Sequence, residues 1–460
     1  MAASEIRALF AMAARPEVVS LAGGMPHLAA LPMDAVADVI GELVRQDGAT
    51  ALQYGSGQGH PVLREQICTV MSLEGIDAHA DEVVVTVGSQ QALDLVTRVF
   101  IDPGDVIIAE APSYVGALGT FSAYQADVVQ VPMDDAGLVP ELLRETIASV
   151  QASGRRAKFL YTVPNFHNPA GVSLALERRT EILEICRGAG LLVLEDNPYG
   201  LLGFDSDPVP ALRSQDADNV VYLGSFSKTF APGFRVGWAL APLGVREKLV
   251  LASEAAVLCP PSFSQLAVSR YLETQPWQQQ IKVYQELYRE RRDALLDALA
   301  ELMPAGTTWT KPTGGFYVWM TLPAGLNAKA MLPRAITGRV AYVPGTAFYA
   351  DGSGAPSLRL SYCYPPPSRI REGVRRLADV LAEELDLRRT FGATGTHAQP
   401  AGRRALVGTG ERGSAYPDAP PESEVGLGLV DSAPGPSGSR QAAGANSDLA
   451  GFTVSGEHHE

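Results

Sequence analysis

The segment Gly224-Ser225-Phe226-Ser227-Lys228-Thr229-Phe230-Ala231-Pro232-Gly233-Phe234-Arg235 sets a lysine just after two serines and seven residues before an arginine. A crowded lysine amine forms a Schiff base with a carbonyl, while serine hydroxyls and a guanidinium supply donors and charge for a phosphate. The preceding run Asn219-Val220-Val221-Tyr222-Leu223 is β-rich, so Lys228 is expected at a strand end, exposed yet rigidly held on a loop. A surface lysine in a polar loop has the same local sequence, so the rest of the chain must decide. Pyridoxal 5'-phosphate carries both the carbonyl and the phosphate that these residues suit.

Other segments offer groups for the rest of such a cofactor. Gly88-Ser89-Gln90-Gln91 follows a β-rich run and opens a helical pattern; the free amides of a first turn suit an anion, and Ser89 and Gln90 would complete a phosphate cup. An ordinary serine-capped helix start reads the same way. The apolar run Leu191-Leu192-Val193-Leu194 delivers Glu195 and Asp196 at its mouth. Asp196 is assigned to the pyridine nitrogen, because a nearby carboxylate stabilises its cationic form, and Tyr199 to the phenolic oxygen. Side chains alternate along a strand, so Glu195 is expected to turn away, towards packing or a salt bridge. Asn168, before Pro169, is either a donor to the phenolic oxygen or a turn amide bound to its own backbone. His167 has no carboxylate or second histidine at ligand spacing and reads as loop structure or pocket lining. Tyr114 follows another strand end, to stack on a flat ring or pack in the core. Arg359 lies inside the apolar run 357–362, where burial demands a partner: a substrate carboxylate or an acid of its own domain.

These residues need a scaffold. The β-rich runs 82–87, 106–110, 127–131, 159–163, 191–194, 220–223 and 236–241 alternate with helical patterns, which predicts an α/β fold with a mostly parallel, helix-covered sheet. Ligands in such sheets gather at the strand carboxyl ends. A long helical stretch over 265–302 separates this region from strand candidates at 313–321, 340–343 and 357–362, which predict a smaller α+β domain. From residue 388 Gly, Ser, Pro and Ala dominate, and a disordered C-terminal tail is expected. The 460 residues are 46% hydrophobic and carry a formal net charge of -14, which argues against a nucleic-acid footprint. No apolar run is long enough to span a bilayer, and the N-terminus shows no signal-peptide pattern, so the expected location is cytoplasmic with no membrane partner. Cys68, Cys186, Cys259 and Cys363 are widely separated; core packing is expected, with neither disulfides nor a metal site.

In sequence order, Ala22-Gly23-Gly24, Leu52-Gln53-Tyr54, Gly88-Ser89-Gln90-Gln91, Asn168-Pro169-Ala170-Gly171, Asp196, Ser225-x-Ser227-Lys228, Arg235 and Arg359 resemble the fold-type I pyridoxal-phosphate aminotransferases of class I/II. The chain looks most like the broad-specificity 2-aminoadipate and kynurenine type, over about residues 4–387. The resemblance implies that Lys228 is the Schiff-base lysine, that Asp196 binds the ring nitrogen, and that Asn168 and Tyr199 bind the phenolic oxygen. It implies a phosphate site of Ser89, Gln90, Ser225, Ser227 and Arg235, with Tyr114 stacked on the ring. Arg359 would take the substrate α-carboxylate, Gly24 would lie by the substrate backbone, and Tyr54 would reach the phosphate of a neighbouring subunit in a homodimer with shared active sites. The implied domains are an N-terminal segment, 1–40, associated with the small domain; a large cofactor domain, 41–275; a small domain, 276–387; and the tail, 388–460.

Three departures stand out. The arm before the first helical pattern, Ser4 to Phe10, is short, and its Arg7 matches a distal-carboxylate contact of aminoadipate enzymes but equally suits an exposed helix position. The loop His27-Leu28-Ala29-Ala30-Leu31 is less polar than a strict diacid site would be, and the family does not need the tail. The expected activity is ping-pong transfer of the amino group of an L-α-amino acid to a 2-oxo acid, with 2-oxoglutarate as acceptor; aromatic, branched and acidic donors all fit. A lyase or synthase on the same fold shares these anchors. The effector domain of a transcriptional regulator is a remoter alternative, disfavoured by net acidity and by the short segment ahead of Gly23.

Overall fold

The computed structural model describes residues 15–205 and 207–392. After a short strand β1 (Val19–Ser20), eight strands form one sheet: β2 (Val83–Val87), β3 (Val106–Ala111), β4 (Asp127–Asp134), β5 (Gly137–Leu138), β6 (Ala157–Thr162), β7 (Leu192–Asp196), β8 (Val220–Ser225) and β9 (Val236–Leu240). Their spatial order is β2-β9-β8-β7-β6-β3-β4-β5, and β8-β7-β6-β3-β4 pair in parallel. β9 runs antiparallel to both β2 and β8.

Burial on both faces explains why these strands read as continuous apolar runs rather than alternating ones. Alternate residues still face opposite ways. Ile107 and Ala109, with Phe159 and Tyr161, pack under the helices Ser89–Phe100, Val115–Ala123 and Leu243–Val257. Val106, Ile108 and Leu160 pack instead under Pro140–Ala152 and Leu176–Gly188. The order in which successive strands are laid down reverses between the parallel neighbours β3 and β6, and the loops leaving those two strands carry Tyr114 and Asn168. Open α/β sheets form their ligand crevice at such a reversal.

A second sheet, ordered β10-β11-β14-β13, comprises β10 (Thr308–Trp309), β11 (Tyr317–Thr321), β13 (Val343–Pro344) and β14 (Ser357–Ser361), while β12 (Val340–Ala341) pairs in parallel with β1. The helices Trp277–Leu302 and Pro367–Gly392 pack against each other and over the core of this sheet. The large helix-covered sheet and the smaller α+β unit are therefore both present, as expected.

Several boundaries differ from the sequence expectation. The stretch 265–302 is two helices, Ser262–Thr274 and Trp277–Leu302, because Pro276 lacks an N–H and holds Gln275 extended at φ -111°, ψ 150°. The expected strand 313–321 starts only at Tyr317, after Gly314 and Gly315, the latter at φ +70°. The run 340–343 splits at Tyr342, since β12 pairs with β1 and β13 with β14. The last helix reaches Gly392 and so overruns the expected start of the tail at 388; Arg388 fits against Gly325, and Arg389 pairs with Asp386 one turn back. The remaining tail, the Ser4-to-Phe10 pattern and Arg7 lie outside the described residues. Among the described residues no helix is long and apolar enough to cross a membrane, and no His/Cys/Asp/Glu cluster could hold a metal ion. Cys186 and Cys363 are buried, Cys68 and Cys259 half-buried, all as free thiols.

Candidate active site

Lys228 follows the end of β8, as the β-rich run predicted, but it is half-buried rather than exposed. Its Nζ donates to the Gly24 carbonyl at 2.9 Å and lies 5.7 Å from the centre of the Phe316 ring. Burial of the amine lowers its pKa to about 8, with Arg359 and Arg235 pushing the same way. The β7 terminus is just as specific. Asp196 is 5% exposed; its Oδ2 accepts from the Tyr161 hydroxyl at 2.8 Å, whereas Oδ1 is buried with no partner. Burial raises its pKa to about 6, against the Tyr161 hydrogen bond and the field of His167.

Glu195 does turn the other way, although burial does not separate it from Asp196, since both are enclosed. Its two oxygens accept from the backbone N–H groups of Leu212 and Arg213, each at 2.9 Å, so it anchors the first turn of the helix Leu212–Gln215. Tyr199 is buried with its hydroxyl 3.4 Å from that of Tyr317, and burial holds its pKa well above the usual phenol value. Asn168 is not a turn amide closed on itself: its Oδ1 accepts from Arg359 Nη1 at 2.8 Å. Arg359 Nη2 donates to the Ala22 carbonyl at 2.8 Å, and no acid pairs with it among the described residues. The domain-internal salt bridge is thereby ruled out.

The candidate phosphate cup is built from backbone as much as from side chains. Gly88 sits at φ +74°, and no side chain caps the helix Ser89–Phe100, so its leading N–H groups stay open to an anion. β9 comes so close that a Cβ on Gly237 would lie 2.5 Å from Ser89 N. Ser225 Oγ bonds to Ser227 Oγ at 2.8 Å, and Arg235, held at φ +53°, reaches Ser227 Oγ at 3.4 Å. The Gln90 side chain is used otherwise: its Nε2 donates to Thr120 Oγ1 at 2.9 Å and its Oε1 accepts from the Tyr114 hydroxyl at 3.2 Å. That leaves Gln90 only its backbone amide for an anion, and it fixes the Tyr114 ring at the cavity wall.

A cavity of about 330 Å³ joins these groups, lined by Gly24, Ser89, Gln90, Tyr114, Asn168, Asp196, Tyr199, Ser225, Ser227, Lys228, Arg235 and Arg359. Its size is that of a small-molecule site. A larger surface cleft around Trp277 and Gln285 contains none of these groups. Tyr54 is not brought in; it is 77% exposed. The structure also adds residues that spacing in sequence did not reveal. Glu110, at the end of β3, lies 3.0 Å from His167 Nε2, off the line of a straight hydrogen bond, and accepts from Thr162 Oγ1 at 2.6 Å and Val163 N at 2.9 Å. His167 therefore does meet a carboxylate, from a strand that is remote in sequence but neighbouring in the sheet. Tyr161 and Tyr317 were likewise missed. An acid at a strand mouth could have flagged Glu110, as it did Asp196; nothing local marks the two tyrosines.

The residues fit pyridoxal 5'-phosphate on the cavity's own chemistry: a lysine with a depressed pKa, an orphaned buried carboxylate oxygen, and a helix start with two serines and an arginine. Residues 16–377 match the family described as aminotransferase class I and II. The chain belongs to that family. Like other class I and II aminotransferases, it is an enzyme of amino-group transfer between amino acids and 2-oxo acids, and pyridoxal 5'-phosphate is its cofactor. The aminotransferase is similar to aromatic-amino-acid aminotransferase 1 of Thermococcus litoralis, 42% identical over 387 residues covering 84% of this chain and 93% of that one. It is also similar in structure to Pyrococcus horikoshii kynurenine aminotransferase, with TM-score 0.80, 40% identity and coverage of 84% and 96%. The α-aminoadipate aminotransferase of Thermus thermophilus, solved with N-(5'-phosphopyridoxyl)-L-leucine, gives TM-score 0.78, 36% identity and the same coverage of 84% and 96%.

Proposed function

We propose that this aminotransferase works by a ping-pong route, taking the amino group of an L-α-amino acid in one half-reaction and giving it to 2-oxoglutarate in the next. The observation that carries the reading is the convergence on one cavity of Lys228, the Oδ1 of Asp196 and the guanidinium of Arg359, the carboxylate oxygen without a hydrogen-bond partner and the guanidinium without an acid among the described residues. Bound pyridoxal 5'-phosphate supplies an electrophilic carbon for the amine and a ring that takes up the electron pair released at the substrate Cα. Asp196 would hold the ring nitrogen protonated, Asn168 and Tyr199 would hold the phenolic oxygen, and Tyr114 would cover the ring. The helix start at Ser89 and Gln90, with Ser225, Ser227 and Arg235, would hold the phosphate.

Arg359 binds the substrate α-carboxylate, with Gly24 beside the substrate backbone, so that the Cα–H bond is presented to Lys228. The Lys228 amine removes that proton; its pKa of about 8 leaves a useful share of it neutral near pH 7.5. The relatives' names include aromatic, kynurenine and aminoadipate donors, and the apolar loop after His27 favours the aromatic and branched classes over acidic ones. Arg7 remains the candidate contact for a distal carboxylate. Exposure of Tyr54 outside its own chain's cavity supports a homodimer in which it completes the neighbour's phosphate site.

The test is conversion of the bound cofactor to its pyridoxamine form by a panel of amino acids, for wild type and Lys228→Ala. Wild type should convert with a subset of donors and return on adding 2-oxoglutarate, and the variant should do neither at a measurable rate. Turnover by Lys228→Ala, or a lyase product without the pyridoxamine form, would overturn the proposal.

A further inference from the structure

Arg359 presents an electrostatic problem: it is 4% exposed, has no carboxylate partner among the described residues, and its Nε is buried without a hydrogen-bond acceptor. An unpaired buried cation is costly unless something else stabilises it. Two aromatic rings stand in that place. The Arg359 guanidinium carbon lies 4.2 Å from the centre of the Tyr317 ring and 5.1 Å from that of Phe348. The rings come from either side of β14: Tyr317 belongs to β11, and Phe348 closes the turn Gly345–Phe348 that follows β13, the two strands that flank β14. Their π faces attract the cation without themselves taking up any of its N–H groups.

Tyr317 is itself fixed at three points. Its hydroxyl is 3.4 Å from that of Tyr199, and it fills the space beside Gly24, where a Cβ would lie 2.0 Å from the Tyr317 oxygen. Its backbone carbonyl abuts Gly171, where a Cβ would come within 2.3 Å. The side chain that covers the guanidinium is thus locked to the loops bearing Gly24, Asn168 and Tyr199. An acidic partner would have satisfied Arg359 equally well, but it would have neutralised the charge and occupied the donors that a substrate carboxylate needs.

We infer that Tyr317 is a positioning residue for the substrate carboxylate: with Phe348 it takes the place of a counter-ion, holding the Arg359 guanidinium oriented and available. The inference rests on Arg359 being the α-carboxylate site. Because every substrate carries that carboxylate, Tyr317 sets affinity for amino and 2-oxo acids irrespective of their side chains.

The test uses the holoenzyme with Tyr317→Leu, Tyr317→Phe, Phe348→Leu and Arg359→Gln. For each, kcat and KM are measured with two amino acids of different side chain and with one 2-oxo acid, and the Kd of an unreactive monocarboxylate, 3-phenylpropanoate, is read from the perturbed absorbance of the bound cofactor. Tyr317→Leu and Phe348→Leu should raise every KM and the monocarboxylate Kd roughly ten-fold, by similar factors for all substrates, with a much smaller fall in kcat. Tyr317→Phe keeps the ring and should recover most of the affinity. If Tyr317→Leu loses the cofactor, Phe348→Leu against Tyr317→Phe carries the comparison. A loss confined to one side-chain class, equal losses in kcat and kcat/KM, or unchanged Kd in both leucine variants would overturn the inference. Should Arg359→Gln also leave the monocarboxylate Kd unchanged, the carboxylate site itself has been misassigned; should it alone weaken binding, only the role of the rings fails.

Discussion

Glu74 offers a prediction whose size follows from the structure. It lies just beyond the helix Pro61–Ser72 and is 3% exposed; its Oε1 accepts from Asn197 Nδ2 at 2.6 Å and its Oε2 from the Tyr222 hydroxyl at 2.7 Å. Asn197 Oδ1 in turn accepts from Asn165 Nδ2 at 3.2 Å, and Asn165 Oδ1 from the fully buried Arg179 at 2.6 Å, so the chain ties together the loops bearing Asp196 and Asn168. Burial raises the Glu74 pKa from 4.5 to about 7; Glu195 adds to the rise, and Tyr222, Asn197 and Arg179 oppose it. The folded carboxyl thus keeps its proton up to about pH 7, whereas in the unfolded chain it loses it near pH 4.5. Its contribution to stability is full below pH 4.5 and is lost as pH rises through 7. At about 1.4 kcal/mol per unit, the loss amounts to about 3 kcal/mol. Glu74→Gln is locked in the neutral form and can still accept from Asn197 and donate to the Tyr222 oxygen. Urea unfolding of the cofactor-saturated enzyme, followed by tryptophan fluorescence at pH 5, 6, 7 and 8, should show wild type losing about 3 kcal/mol more than the variant across that range. Parallel pH profiles, or a variant as far below wild type at pH 8 as at pH 5, would mean that Glu74 is ionised throughout and that the burial argument is wrong.

Other expectations concern the site itself. With a pKa of about 8, the neutral fraction of Lys228 at pH 7 is roughly a few hundred times that of an ordinary lysine, so the rate at which cofactor-free enzyme takes up pyridoxal 5'-phosphate should rise with pH and level off above about 8; a stopped-flow absorbance series that kept climbing past pH 10 would contradict the shift. Gly24→Ala drives a methyl into the Tyr317 hydroxyl, which Gly171 and Arg359 prevent from retreating. It should cost about 1–3 kcal/mol in thermal or urea unfolding and raise KM for all carboxylate substrates, an outcome excluded if both stay at wild-type values.

The local sequence was enough to place the main candidate groups at strand ends and a helix start, because these are short-range features. An apolar run followed by Asp196, a glycine followed by Ser89, and a β-rich run followed by Lys228 each declare where a side chain emerges. Apolar strands also made the parallel sheet legible, since burial on both faces leaves a continuous hydrophobic run. Misjudged boundaries came from effects that composition hides: Pro276 breaks a stretch whose residues otherwise favour helix, and β12 and β13 part because their pairing partners lie in different sheets.

What tertiary structure alone decided is which groups meet. Spacing along the chain could not bring Glu110 to His167, Tyr161 to Asp196 or Glu74 to Asn197, because the first two pairs are joined by neighbouring strands and the third by a helix end packed beside the sheet, none by chain neighbours. It could not tell that Gln90 spends its side chain on Tyr114 and Thr120, or that Lys228 is half-buried. The same holds for Arg359. Its sequence context demanded a partner and left open which; only the fold, by covering the guanidinium with Tyr317 and Phe348 and setting no acid against it among the described residues, kept its charge free for a ligand. Residue types and short spacings carried the chemistry, and desolvation together with long-range packing set its protonation states and which of its polar groups face the cavity.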